Sequence, residues 1–267
     1  ALRTGGAPAF CSDALEGFVE LPNPPGRYRA DPFLVRHEGT RWLFFEEADI
    51  ASDHGHLRVM SVTADGVCSE SRPVLEAETH LSYPCVFEWQ GTHYLIPESA
   101  EARCIELYRA VEFPWRWTLE KVLFQDLYAV DATVLKHDDR LWLFVAISVA
   151  GGGSNDELFL FHADAPQGEW IPHPMNPIVS DVRRARPAGA IFREGGAWIR
   201  PAQDCAYAYG AATVLHRIDV LNEREYRETP VARIDPDWAP ELVCTHTVAT
   251  DGELAVLDGR RWKPRAR

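Results

Sequence analysis

Three things are scarce in this chain, and each scarcity removes a class of function. Positive charge is the first: 27 lysines and arginines stand against 40 acidic residues, for a formal charge of −13. No basic face for nucleic acid or anionic membrane is expected from that balance, although a local basic pocket stays open. Long apolar runs are the second. No stretch approaches the ~18 residues that a membrane-crossing helix needs, so no membrane insertion is expected. Paired cysteines are the third. Six cysteines occur, none forms a C-x-x-C pair, and no His/Cys cluster has zinc-like spacing. Cys85, Cys205 and Cys244 lie inside apolar runs, where a thiol behaves as a small hydrophobe. Reduced thiols and a cytoplasmic setting are the resulting expectation.

What is present is a repeat. Residues 30–47, ADPFLVRHEGTRWLFFEE, read as two short apolar strands meeting at a turn, with an aspartate and a proline at the entrance. Weaker copies follow at 83–99 (YPCVFEWQGTHYLIPES), 130–147 (VDATVLKHDDRLWLFVAI), 186–204 (RPAGAIFREGGAWIRPAQD) and 246–261 (HTVATDGELAVLDGRR). Setting Gly39, Gly91, Asp139, Gly196 and Gly252 as equivalent turn positions gives steps of 52, 48, 57 and 56 residues. A period of roughly 50 residues written in hairpins is the mark of a β-propeller. The expected fold is all-β, a five-bladed β-propeller with four-stranded blades, and residues 1–267 form one domain.

Each repeat supplies the two inner strands of a blade and the spacer after it supplies the outer pair. The outer strands are expected at 57–63 and 67–75, at 104–110 and 115–124, at 157–163 and near 170–173, and at 212–220 and 225–234. The fifth blade has no outer pair after Arg261, so an N-terminal strand, GFVEL at 17–21, is expected to close the ring. Residues 1–14 are small and polar and are expected to be poorly ordered. One helical turn is allowed at Asp13 onward and another at 221–226. Two spacers stand out: AGGGSND at 150–156, rich in permissive glycine, and the proline- and arginine-rich 172–187.

A polar residue at the entrance of an inner strand faces the funnel. The repeat places Asp31, Tyr83, Asp131, Ala188 and Cys244 there. Asp31 and Asp131 match in blades one and three, and two carboxyls converging on a pocket suit glycosidic-bond chemistry. Capping of a strand-start turn by each aspartate is the simpler alternative. Arg186, Arg200, Gln203, Asp204 and Tyr209 form a second constellation. A guanidinium fork suits carboxylate or phosphate, and amide, carboxylate and phenol suit sugar hydroxyls. An Arg200–Asp204 pair locking blade four is the structural alternative. His80 and His246 stand beside inner-strand starts, where a hydrogen-bonded structural histidine is the plainer reading. Trp42, Trp142 and Trp198 recur at one repeat position as packing residues, which leaves Trp89, Trp115 and Trp238 as stacking candidates.

Asp31 and Asp131 at matching starts of blades one and three resemble the arabinanase, levansucrase and invertase superfamily. That resemblance implies Asp31 as base or nucleophile and Asp131 as a tuning carboxylate. It also implies a calcium ion near His246 as the one conceivable cofactor; otherwise no cofactor and no metal site is expected. A closer resemblance rests on HLSYP (80–84), YLIPES (94–99), VDATV (130–134), RPAGAIF (186–192), RPAQDCAYAYG (200–210) and IDVLNEREYRE (218–228). Those runs are similar to the N-terminal domain of glucosamine inositolphosphorylceramide transferases, which is sometimes joined to formyltransferase-like modules. The resemblance implies a carbohydrate-linked role beside a glycosyltransferase or formyltransferase-like partner module. The hydrolases place a general-acid glutamate on the inner strand of blade four, where this chain has Arg186 followed by Pro-Ala-Gly, and Glu194 falls in the turn. Glu98 is therefore the first candidate acid, with Glu46, Glu47 and Glu241 behind it.

The combined expectation is a funnel that binds a glycosyl or sugar-phosphate ligand and acts on a glycosidic bond in the manner of a glycoside hydrolase. Asp31, Asp131 and Glu98 would be catalytic. Tyr83, Arg186, Gln203, Asp204, Tyr209, His80 and His246 would bind substrate, with Arg186 on an anionic group. The alternative is a non-catalytic glycan-binding or scaffolding module that assists a glycosyltransferase.

Overall fold

The computed structural model describes residues 1–4, 17–149 and 151–261. Strand β1 is Leu2–Thr4. Blade one follows as β2 (Arg27–His37), β3 (Thr40–Asp49), β4 (Gly55–Val62) and β5 (Arg72–Leu75). Blade two is β6 (Ser82–Trp89), β7 (Thr92–Glu98), β8 (Cys104–Glu112) and β9 (Arg116–Gln125). Blade three is β10 (Ala129–His137), β11 (Arg140–Ile147), β12 (Glu157–Ala163) and β13 (Ile171–Pro172), with β14 (Val179–Ser180) also on β12. Blade four is β15 (Phe192–Glu194), β16 (Ala197–Asp204), β17 (Ala212–Leu221) and β18 (Tyr226–Ile234). Blade five joins β19 (Leu242–Thr250) and β20 (Leu254–Arg261) to β1. The molecule is thus a five-bladed propeller of antiparallel sheets. Its helical content among the described residues is one short turn, Ala100–Ala102. Residues 221–226 are a hairpin turn rather than a helical one, and Asp13 lies outside the described residues.

An N-terminal segment closes the ring, by a different route from the one the alternation of 17–21 suggests. Leu2 pairs with Val256 in β20, and Val19 then bridges Leu2 with paired backbone bonds of 2.8 and 2.7 Å. Burial decides the order. Leu2 packs with Leu43, Phe45, Leu254 and Val256, while Val19 is 67% exposed and takes the outermost place. Leu2–Thr4 is therefore strand, in a stretch expected to be poorly ordered.

The inner hairpins share one irregularity, and it builds the funnel. In blade one the register slips between Ala30 and Phe33, so that Asp31 and Pro32 oppose one residue. The same slip falls between Ser82 and Cys85, between Val130 and Thr133, and between Thr245 and Val248. A bulge of this kind re-aims a side chain out of the pleat. Asp31, Tyr83 and Asp131 sit in it with φ of 53°, 45° and 54°, left-handed backbone that a tyrosine seldom adopts. In blade four the left-handed residue is Gly189, φ 115°, where a Cβ would lie 2.1 Å from the Val248 carbonyl oxygen. The bulge of blade five holds His246 and Thr247. The entrance positions of the last two blades are therefore Gly189 and His246, one and two residues beyond Ala188 and Cys244.

Packing absorbs the tryptophans. Trp115 stacks edge-on against Trp42 at 5.0 Å, Trp89 is buried under Lys136, and Trp238 donates its indole N–H to Thr245 Oγ1 at 2.9 Å. These three are blade-packing residues rather than a sugar-stacking surface. The described cysteines, 68, 85, 104, 205 and 244, are free thiols. No helix among the described residues is long and apolar enough to cross a membrane.

Candidate functional site

Carboxyl groups gather where the bulges point. The Asp31 amide donates to Asp258 Oδ2 at 3.0 Å, and Asp31 Oδ2 accepts the Tyr83 amide at 3.2 Å. The Asp131 amide donates to Glu98 Oε2 at 3.2 Å. Backbone bonds thus hand each entrance residue on to the neighbouring blade. Glu46 and Glu98 occupy one register position, since Ala30 pairs with Glu46 and Ser82 with Glu98. Both carry their carboxyls to the same end of the ring.

Environment sets these groups in different protonation states. Burial lifts Asp31 to about 7, against the pull of His246. Burial and then the Asp31 charge raise Glu46 to about 9. Glu98 is pushed well above the carboxylate range by burial and by Asp131. Asp258 goes the other way: burial alone would raise it, but the His246 charge together with hydrogen bonds from His246, the Asp31 amide and Thr247 holds it below the usual carboxylate range. Burial alone would pull His246 down, yet Asp258 and Asp31 lift it to about 9. The two carboxyls beside its Nδ1, at 3.1 and 3.3 Å, thus favour the imidazolium form of His246. Its Nδ1 donates to Asp258 Oδ2 at 3.1 Å, with Asp31 Oδ1 beyond at 3.3 Å, and its Nε2 lies 2.5 Å from the Tyr209 hydroxyl. Because the Nδ1 proton goes to Asp258, Asp31 Oδ1 has no hydrogen-bond donor among the described residues.

Arg186 is committed to the protein. Its Nε donates to Asp131 Oδ2 at 2.6 Å, and Nη1 donates to Ser154 Oγ and Asn155 Oδ1. Nη2 lies 3.6 Å from Glu98, and the guanidinium covers the Tyr209 ring at 4.8 Å. Every guanidinium nitrogen faces an acceptor, so an anionic ligand would have to displace a hydrogen bond or an ion pair to reach it. The AGGGSND stretch supplies two of those acceptors. Gln203 also donates to Asp131 Oδ2, at 3.3 Å.

Of the residues singled out from sequence, Asp31, Asp131, Glu98, Arg186, Gln203, Tyr209 and His246 come together. His80 stands at the rim, with Nε2 3.4 Å from Glu46. Tyr83 lies beneath, fully buried; its hydroxyl meets Thr133 Oγ1 and the Gly189 N–H, both at 2.8 Å, and so ties blades two, three and four. Asp204 and Arg200 share the other face of β16, as a period of two requires. Asp204 binds Arg233 at 2.7 Å, while Arg200 makes a forked pair with Glu228 at 2.8 and 2.7 Å. The Arg200–Asp204 lock is not made. Glu47 is taken by Arg27, Arg29 and Arg58.

Asp258 escaped the sequence reading, and so did the weight of Glu46. Extending the repeat alignment to the second inner strand, which ends in FFEE and IPES in blades one and two, would have matched Glu46 with Glu98; Asp258 lies one residue earlier in the register, opposite the blade-five bulge, where blades one and two have Phe45 and Pro97. Two surface clefts, about 610 and 390 Å³, lie at the opposite end, around the inner-hairpin turns at His137–Arg140 of blade three and His37–Glu38 of blade one. Six residues separate Asp131 from His137, roughly 20 Å of strand, so neither cleft adjoins the carboxyl cluster.

Asp31, His246 and Asp258 present ligand atoms within 4.8 Å of one another, the spacing of a metal site. As arranged they suit an imidazolium better than a metal, because a cation there would have to displace the proton that Nδ1 donates to Asp258.

Comparison with known proteins agrees with this fold. The catalytic domain of the Coprinopsis cinerea GH62 α-L-arabinofuranosidase superposes with a TM-score of 0.66 at 15% identity, covering 90% of this chain and 86% of that one. A family 117 glycoside hydrolase of Zobellia galactanivorans gives 0.62 at 13% identity, covering 88% and 76%. Sequence relatives are nearer. Glucosamine inositolphosphorylceramide transferase 1 of Oryza sativa subsp. japonica is 36% identical over 252 residues, 89% of this chain. Its Arabidopsis thaliana counterpart is 36% identical over 211 residues, 78% of this chain. The matches span 34% and 28% of those two proteins, about a third of their length. The family profile described as "Glucosamine inositolphosphorylceramide transferase 1, N-terminal" matches residues 18–236. The chain belongs to that family of N-terminal propeller domains.

Proposed function

We propose that the funnel binds a glycosyl ligand and acts on a glycosidic bond, with Asp31 as base or nucleophile, Asp131 as tuning carboxylate and Glu98 as acid. The observation that carries this reading is the convergence of Asp31, Asp131, Glu98 and Asp258 on one buried floor. Their surroundings push them apart: Glu98 is raised by burial and Asp131, Asp258 is lowered by His246 and its hydrogen bonds, and Asp31 is lifted to about 7. Carboxyls whose environments push their proton affinities apart are what acid–base chemistry on a glycoside requires. Glu98 reaches this floor from blade two, which supplies a carboxyl of raised proton affinity where blade four has Arg186. Gln203 and Tyr209 offer an amide and a phenol for sugar hydroxyls. No metal step enters this reading.

A specific observation favours a second reading, a non-catalytic glycan-binding module. Asp31 is only 3% exposed and Arg186 stands where the fold's hydrolases would place their acid. In the sequence relatives most of the length lies outside the match, and a glycosyltransferase module as partner accords with their names.

A panel of 4-nitrophenyl glycosides (arabinofuranoside, xyloside, galactoside and N-acetylglucosaminide), assayed for turnover and binding, separates the two. Release of nitrophenolate that Asp31→Asn abolishes without loss of affinity supports catalysis. Binding without turnover, merely weakened by Asp31→Asn, leaves the glycan-binding module. Absence of both sinks the carbohydrate reading.

A further inference from the structure

Tyr209 differs from the rest of the cluster in being reachable. It is 39% exposed, whereas Asp31, Asp131 and His246 lie behind it with side chains exposed by 5, 4 and 14%. It comes from the β16–β17 loop of blade four, the blade whose inner strands bring no carboxyl into the cluster. That loop is fixed tightly. Gly210 has φ 62°, and a Cβ there would meet Cys244 Sγ at 2.6 Å. The Ala211 amide bonds the Asp204 carbonyl at 2.9 Å, and Thr245 N–H bonds the Gly210 carbonyl at 3.1 Å. One face of the Tyr209 ring is covered by Arg186.

Behind the phenol runs a chain of charge: Asp258 Oδ2, His246 Nδ1 at 3.1 Å, then His246 Nε2 and the Tyr209 oxygen at 2.5 Å. In such a chain the direction of the last hydrogen bond decides what the phenol can do. With the ring doubly protonated, Nε2–H donates to the phenol oxygen and occupies a lone pair. The phenol proton must then point away from His246. No acceptor other than His246 faces the Tyr209 hydroxyl in the described structure.

We propose that the Asp258–His246 pair fixes Tyr209 as a hydrogen-bond donor aimed into the funnel mouth, where it takes an acceptor oxygen of the glycosyl ligand. This rests on the carbohydrate reading above and names the residue of blade four that meets the ligand. It also assigns His246 and Asp258 a positioning role in place of direct contact. Two carboxylates around His246, Asp258 and Asp31, keep the ring protonated. The titratable and charged groups facing Tyr209 are His246, Arg186, Asp131, Asp31 and Glu98. Deprotonation of the ring would reverse the bond: a bare Nε2 would accept the phenol proton and turn the donor inward.

Nitrogen-15 NMR of the uniformly labelled protein, with His246 assigned through His246→Gln, reads the bond direction near neutral pH. Two pyrrole-like ring nitrogens are expected; a pyridine-like Nε2 would overturn this inference and leave the carbohydrate reading untouched. Affinity for the tightest-binding 4-nitrophenyl glycoside of the panel is the second arm. Tyr209→Phe should lower it about tenfold, the loss of one good hydrogen bond. His246→Leu should do the same, and His246→Gln, whose amide N–H can still donate to the phenol oxygen, should retain most of the affinity. Unchanged affinity in Tyr209→Phe overturns the inference. Equal losses in His246→Gln and His246→Leu, with both variants folded by circular dichroism, also overturn it. Binding of no glycoside at all removes the carbohydrate reading and this inference with it.

Discussion

Asp31→Asn is expected to stabilise the protein, and to do so increasingly as the pH rises. Burial lifts the Asp31 carboxyl from 3.8 to about 7, so the folded protein keeps a proton that the unfolded chain gives up. An acid raised on folding leaves stability untouched below about pH 4, erodes it between about 4 and 7, and costs its full amount above that. At ~1.4 kcal/mol per unit the ceiling is about 4 kcal/mol. Two couplings lower it. Asp31 shares its field with Glu46, and it is one of the two carboxylates that raise His246 to about 9. The His246 contribution is present below about pH 6.5 and is lost through about 9, and removing Asp31 weakens it. A net gain of about 1–3 kcal/mol at pH 8, falling towards zero at pH 4, remains. For a chain of this size that is roughly 3–9 °C in melting temperature. Asparagine tolerates the φ of 53° and keeps an oxygen for the Tyr83 amide, so geometry adds little cost. Thermal melts at low salt from pH 4 to 8 give the answer. A variant less stable than wild type at every pH, or a difference that ignores pH, would show Asp31 to be a turn cap and refute the reasoning.

Other perturbations test the scaffold. Tyr83→Phe removes a buried hydroxyl bonded to Thr133 and Gly189, and should cost about 1–3 kcal/mol in urea unfolding with no change in pH dependence. Arg186→Gln leaves Asp131 buried without its cation, and should cost about 3–5 kcal/mol, as broken buried ion pairs do. A loss below about 1 kcal/mol there would mean that the carboxyls are solvated and the funnel is wetter than described.

The fold was legible because period and turn repeat five times over: hairpins at Gly39, Gly91, Asp139, Gly196 and Gly252 leave little freedom in topology. Asp31 and Asp131 were legible for the same reason, since they sit at repeated positions, while Glu98 was singled out because it ends the second strand of blade two and blade four has no acid. What escaped was register. A bulge adds one residue to one strand and leaves the hydrophobic pattern almost unchanged, so blade five's entrance was placed at Cys244 instead of His246. The partners of arginines escaped too. Arg200 and Asp204 look paired by spacing, yet each finds a carboxylate or guanidinium on β18, contacts that only the folded sheet defines. The closing strand was misplaced because GFVEL alternates better than LRT, while the burial of Leu2 depends on blades one and five meeting.

The most direct test of the central claim is a crystal structure of the protein soaked with the tightest-binding glycoside of the panel. The account predicts the sugar in the funnel mouth, with a ring oxygen or hydroxyl within hydrogen-bonding distance of Tyr209 and its glycosidic bond turned towards Glu98 and Asp31. A sugar lodged instead at the opposite end, in the cleft of His137, Arg140 and Glu223, would contradict it.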